Sequence, residues 1–132
     1  MSDNESASGK APWITFRPEL KVLDCTVRDG GLINDHQFTD EFVRAVYDTC
    51  LAAGIDSMEI GYKNSERLFP RDQFGAWRHC REEDMRRVVG DHDAERTGLK
   101  LVAMADAGKS DWQTTIIPAA DSVLGMIRVA FY

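Results

Sequence analysis

The chain has 132 residues, 43% of them hydrophobic and 29% charged, the balance of one folded globular domain rather than a disordered segment. A net charge of -6 excludes a nucleic-acid footprint and an anionic-membrane surface, since both would repel it. No apolar run approaches the roughly 20 residues that span a bilayer, and the N-terminus has no cationic start followed by an apolar stretch. Cys25, Cys50 and Cys80 are too scattered for a disulfide framework or a metal knuckle, so reduced thiols in a cytoplasmic protein are expected.

In chain order, residues 1 to about 18 read as a flexible N-terminal tail, and 19–132 as the folded domain. Within the tail, Trp13, Ile14 and Phe16 form an apolar patch suited to a short edge strand or a plug, interrupted by Pro18. Lys21 to Val27 reads as a first strand, ending in a glycine-rich turn at Arg28-Asp29-Gly30-Gly31. From Thr39 the period becomes helical, with Phe42, Val43, Val46, Tyr47, Cys50 and Leu51 on one face. Thr39 is placed to cap that helix and Gly54 to stop it. Ser57 to Tyr62 is a second strand. The segment 63–78, rich in Arg, Phe and Trp, is an irregular loop that covers a rim or a contact surface, or clamps an anion.

Glu82, Glu83 and Asp84 open a second helix and Arg86 and Arg87 sit near its end, an order that suits the helix dipole; Gly90 closes it. Leu99 to Ala105 is a third strand. Ser110 to Gln113 matches a capping box and starts a short helix that Pro118 cuts off, and Ser122 to Tyr132 is a fourth strand. The order β-α-β-α-β-α-β with near-continuous apolar strands predicts a parallel α/β sheet. Since a (β/α)8 barrel needs about 250 residues, the expectation is a partial TIM barrel of about four strands and three connecting helices.

Polar residues gather at the C-terminal ends of these strands, where parallel folds bind ligands: Arg28 and Asp29, Glu59, Asp106 and Arg128. Each one alone reads equally well as the start of a solvated loop. Glu59 stands apart, because Met58 and Ile60 flank it within a strand and a buried carboxylate needs a partner.

The run Asp24-Cys25-Thr26-Val27-Arg28-Asp29-Gly30 resembles the D-x-T-x-R-D-G signature of the DRE-TIM metallolyases. That superfamily includes hydroxymethylglutaryl-CoA lyase, 4-hydroxy-2-oxovalerate aldolase and the isopropylmalate and homocitrate synthases. The likeness continues through Phe38-Thr39, Ala53-Gly54-Ile55, Met58-Glu59-Ile60-Gly61 and Ile127-Arg128-Val129-Ala130. It implies a carbon–carbon lyase or aldolase working through an enolate, with Mg2+ or Mn2+ as cofactor and a small 2-oxo acid or acyl-CoA-like substrate. Asp29 would be the metal ligand, Arg28 and Glu59 catalytic, and Arg128 and Asp106 substrate-binding. A Claisen-type acyl-CoA synthase and a non-catalytic half-barrel that binds or assembles are the alternatives.

Three departures stand beside the likeness. Leu32 occupies the place of a family Gln or His, the H-x-H pair of metal ligands has no counterpart, and strands five to eight are absent. His36 could stand in for the first, although a lone loop histidine is more often simply solvated. A half-barrel also leaves two open sheet edges, so self-association or the remainder of a longer chain is expected as partner.

Overall fold

A computed structural model describes residues 15–132. The expected tail lies outside these residues up to position 14, Trp13 and Ile14 included; Phe16, which is described, belongs to no strand and is exposed. Four parallel strands, β1 (Leu23–Asp24), β2 (Ser57–Tyr62), β3 (Lys100–Asp106) and β4 (Met126–Ala130), pair in chain order to form one sheet. This is the expected α/β partial barrel. Its crossovers carry more helical pieces than expected: α1 (Thr26–Asn34) and α2 (Asp40–Ala53), then α3 (Glu82–Val89) and α4 (Ala94–Thr97), then the short α5 (Trp112–Thr115).

The first strand is the principal correction. Only Leu23 and Asp24 pair with β2, and the expected glycine-rich turn is helical instead. The cause is local. The Asp24 carboxylate accepts from the Thr26 backbone N–H at 3.1 Å and from its hydroxyl at 2.7 Å, satisfying a donor that a helix start leaves orphaned. Asp29 in the first turn suits the dipole. Gly30 and Gly31 each cost roughly 1 kcal/mol of helix propensity relative to alanine, which burial of Val27 and Gly31 offsets. The helix ends at Asp35, in the left-handed region at φ 55°.

α2 behaves as its sequence predicts. Thr39 Oγ1 accepts from the Phe42 N–H at 3.1 Å, and Gly54 closes the helix at φ +70°. The capping box at Ser110 does not form: Asp111 precedes α5 without a side-chain cap, and the Ser110 hydroxyl donates to the Lys63 carbonyl instead.

The sheet has two faces. Toward the helices it presents Met58, Ile60, Leu101 and Ala103, which bury against Val43, Tyr47 and Cys50 of α2 and Met85, Val88 and Val89 of α3. Full burial of a side chain such as Ile60 contributes about 1.5–3 kcal/mol. The other face corresponds to a barrel interior and carries Glu59, Val102, Met104, Asp106, Met126 and Arg128 by strand alternation. Tyr62 joins them through an irregularity. The pairing with β3 skips Ile60, so Gly61 opposes Ala103 and Tyr62 opposes Met104. Gly61 is pressed against the polypeptide beyond it, since a Cβ there would lie 2.1 Å from the Trp77 carbonyl oxygen.

Candidate active site

Glu59 has no solvent exposure and is held by two arginines from opposite sides. Arg28 Nε donates to Oε1 at 2.6 Å, and Arg128 Nη1 donates to Oε2 at 2.8 Å. α1 supplies the first guanidinium, β2 the carboxylate and β4 the second, so three elements converge on one ion triad on the interior face. Arg28 Nη1 also donates to the Asp29 carboxylate. Burial by itself would lower the Arg28 pKa, but the hydrogen bond to Glu59 and the neighbouring Tyr62 side chain outweigh it and hold the group above its ordinary value. The guanidinium is a permanent cation here. Nη2 meets only the Cys25 sulfur, at 3.8 Å. The Cys25 thiol is pushed up by burial and then by the Glu59 charge, so it is no ready thiolate.

Of the five residues singled out from the sequence, four thus form one connected cluster: Arg28, Asp29, Glu59 and Arg128. Asp106 stands apart from it. Its carboxylate, also buried, accepts from Asn64 Nδ2 at 3.1 Å and from the Tyr132 hydroxyl at 3.3 Å.

His36 departs from expectation. It is fully buried, not solvated, with Nε2 3.2 Å from the Arg28 carbonyl and its ring edge-on to Tyr62. Burial pushes its pKa down to about 4, so the ring is neutral near pH 7. Leu32 is exposed on α1 and has no proton-accepting atom.

The segment 63–78 is ordered by its own polar groups. Lys63 Nζ donates to the Cys80 carbonyl at 2.7 Å, and His79 lies 2.6 Å from the Phe69 carbonyl. Trp77 is completely buried. Sequence reading missed Tyr62 as a neighbour of the site and named Arg78 only among the basic residues of a loop that could clamp an anion. Tyr62 had no signal, because strand alternation puts it opposite Glu59. Arg78 was hidden among five other charged residues of its loop.

The described residues do not fit a divalent cation by themselves. Both Glu59 oxygens are taken by arginines, Asp29 offers a single carboxylate, and no three His, Cys, Asp or Glu side chains converge among the described residues.

No family model matches the sequence. The chain is 27% identical over 112 residues to 4-hydroxy-2-oxovalerate aldolase 4 of Rhodococcus jostii (strain RHA1), a match covering 85% of this chain and 30% of that protein. The chain is similar to the N-terminal part of an aldolase. Its fold also matches a crystal structure described as the N-terminal domain of "a putative aldolase" from Bacteroides vulgatus, with a TM-score of 0.62 at 24% identity. That match covers 83% of this chain and 35% of the other. The half-barrel therefore spans about a third of each relative's length. Among the described residues no helix is long and apolar enough to cross a membrane.

Proposed function

We propose that this half-barrel supplies the enolate-stabilising corner of a carbon–carbon aldolase or lyase acting on a small 2-oxo acid. The observation that carries the reading is the Arg28–Glu59–Arg128 triad beside the D-x-T-x-R-D-G motif. Cleaving or forming a bond next to a carbonyl places negative charge on the carbonyl oxygen, and a fixed cationic donor lowers that barrier without reorganising. Arg28 meets the requirement. Its Nε and Nη1 are anchored on Glu59 and Asp29, which leaves the Nη2 edge for an oxyanion.

Arg128 has one nitrogen on Glu59 and is part-exposed, so its remaining edge suits the carboxylate of the same acid. Glu59 acts as a positioning residue, since both of its oxygens are committed to holding the two guanidinium groups in register. A Mg2+ or Mn2+ ion at this corner would find one oxygen ligand in Asp29 and would need the others from outside the described residues.

Oxalate is a planar mimic of a 2-oxo acid enolate and serves as the probe. Isothermal titration at low salt is expected to show oxalate binding to the wild-type chain and its loss in Arg28→Gln. Oxalate binding that persists unchanged in Arg28→Gln would overturn the reading.

A further inference from the structure

Arg78 differs from every other arginine of the chain. Ten of the eleven arginines have a side-chain hydrogen bond or ion pair, whereas the Arg78 side chain has neither among the described residues. The exception is not a solvated surface group. Arg78 is half-buried, and its Nε is shut off from solvent with no partner. Its guanidinium carbon lies 4.0 Å from the Phe69 ring centroid, 4.7 Å from that of Tyr62 and 5.7 Å from that of Phe74. Aromatic rings attract a cation to their faces, but they accept nothing from its N–H edge. A buried donor left unpaired costs about 1–3 kcal/mol, more when charged. Burial accordingly pulls the Arg78 pKa below its ordinary value.

The position of this unpaired cation matters as much as its state. It closes the 3-10 turn Ala76–Arg78, and its own carbonyl accepts from the Asn64 N–H just past the C-terminal end of β2. The Tyr62 ring on which it stacks also has the Arg28 guanidinium 6.0 Å from its centroid. The triad's Arg28, paired with Glu59, and a second cation with no counter-charge in contact thus lie beside the same aromatic ring.

We propose that Arg78 receives a second anionic group of the substrate, so that the site selects 2-oxo acids carrying a distal carboxylate. The inference rests on the 2-oxo acid reading above and narrows its substrate class. The reactive end of such an acid meets Arg28 and Arg128, while its far carboxylate supplies the partner that the aromatic clamp withholds from Arg78.

The test compares 2-oxoglutarate with 2-oxobutyrate, which lacks the second carboxylate, by isothermal titration of the full chain. The wild type is expected to prefer 2-oxoglutarate by about tenfold or more, the scale of one charge-assisted contact. In Arg78→Gln the preference should vanish, and in Arg78→Lys part of it should return. A wild type that binds both acids alike, or a preference that survives in Arg78→Gln, overturns the assignment of Arg78 while leaving the 2-oxo acid site in place. Binding of neither acid overturns the 2-oxo acid reading itself and this inference with it. Thermal melts of both variants exclude unfolding as the cause.

Discussion

The imidazole of His36 fills the space in which a side chain at Gly31 would begin: a Cβ there would lie 2.0 Å from the ring's Cδ2. The ring has nowhere to retreat, because a Cβ on Gly75 would sit 1.8 Å from the His36 carbonyl oxygen, so that backbone is clamped as well. Gly31→Ala should therefore destabilise the fold by about 1–3 kcal/mol through overpacking, although alanine favours helix by roughly 1 kcal/mol. Gly30→Ala meets only the tip of Phe38, at 3.3 Å, and should be close to neutral. Urea denaturation of the two variants checks the contrast; equal losses would be inconsistent with it.

Stability should also fall on mild acidification. In the unfolded chain His36 titrates near its ordinary value of 6.5, whereas burial holds it at about 4 in the folded state. The unfolded state therefore takes up the proton first. The contribution is complete above about pH 6.5, declines as the pH drops, and is exhausted near pH 4, for a total on the order of 3 kcal/mol. His79 and His92 are also lowered by burial and act in the same direction. Denaturation midpoints at pH 7.5 and 5.0, above the range in which most carboxylates titrate, should differ in the wild type, and the difference should shrink in His36→Asn.

Replacing Glu59 by glutamine tests the triad. The amide keeps one acceptor oxygen but turns an N–H2 group toward an arginine that can only donate. Breaking a fully buried pair costs about 3–5 kcal/mol, and the partial exposure of Arg128 reduces the expected loss to about 2 kcal/mol. Chemical denaturation at neutral pH measures it. A variant as stable as the wild type would show that the two arginines find solvent or other partners.

Manganese titration should show weak binding, and the isolated chain should show no retro-aldol turnover. One solvent-facing carboxylate, Asp29, holds a divalent cation poorly. Tight stoichiometric uptake would mean that a ligand set assembles which these side chains do not outline.

The 132-residue polypeptide should self-associate at micromolar concentration. β1 and β4 are both sheet edges, and on or beside β4 Met126, Val129, Phe131 and Tyr132 are exposed. Light scattering reads the outcome, and Val129→Lys should shift it toward monomer by placing a charge on the edge strand. A monomeric wild type would contradict the expectation.

Much of this was legible beforehand, and the exceptions share a cause. β2, α2 and α3 follow from periodicity and end signals, because Thr39, Gly54 and Gly90 act within one helical turn of their own position. The convergence of Arg28, Glu59 and Arg128 followed from the rule that strand ends gather polar groups. The helix at Thr26–Asn34 did not, because two glycines outweigh a carboxylate cap in any local reading. The burial of His36 is a tertiary event. It requires Gly31 above the ring and Gly75 behind its backbone, residues separated by 44 positions. Arg78 likewise becomes distinctive only once the ten other arginines are seen to be paired.

The skipped pairing at Ile60 has a consequence of parity. Glu59 and Tyr62 are three positions apart, an odd separation that in a regular strand sends two side chains to opposite faces. The extra residue converts odd to even and brings both to the side where Arg28 bridges them. Removing Ile60 alone would let β2 run regularly along β3 with the same neighbours at each end, and Tyr62 would still oppose Met104. Glycine would then follow Glu59 directly, on the helix side where Ile60 now packs. Such a deletion would keep the site's geometry and hollow out the core behind it, whereas inserting one more residue would preserve the core and turn Tyr62 away from both arginines. The strand thus has its length set by two layers at once, and only a six-residue count satisfies both.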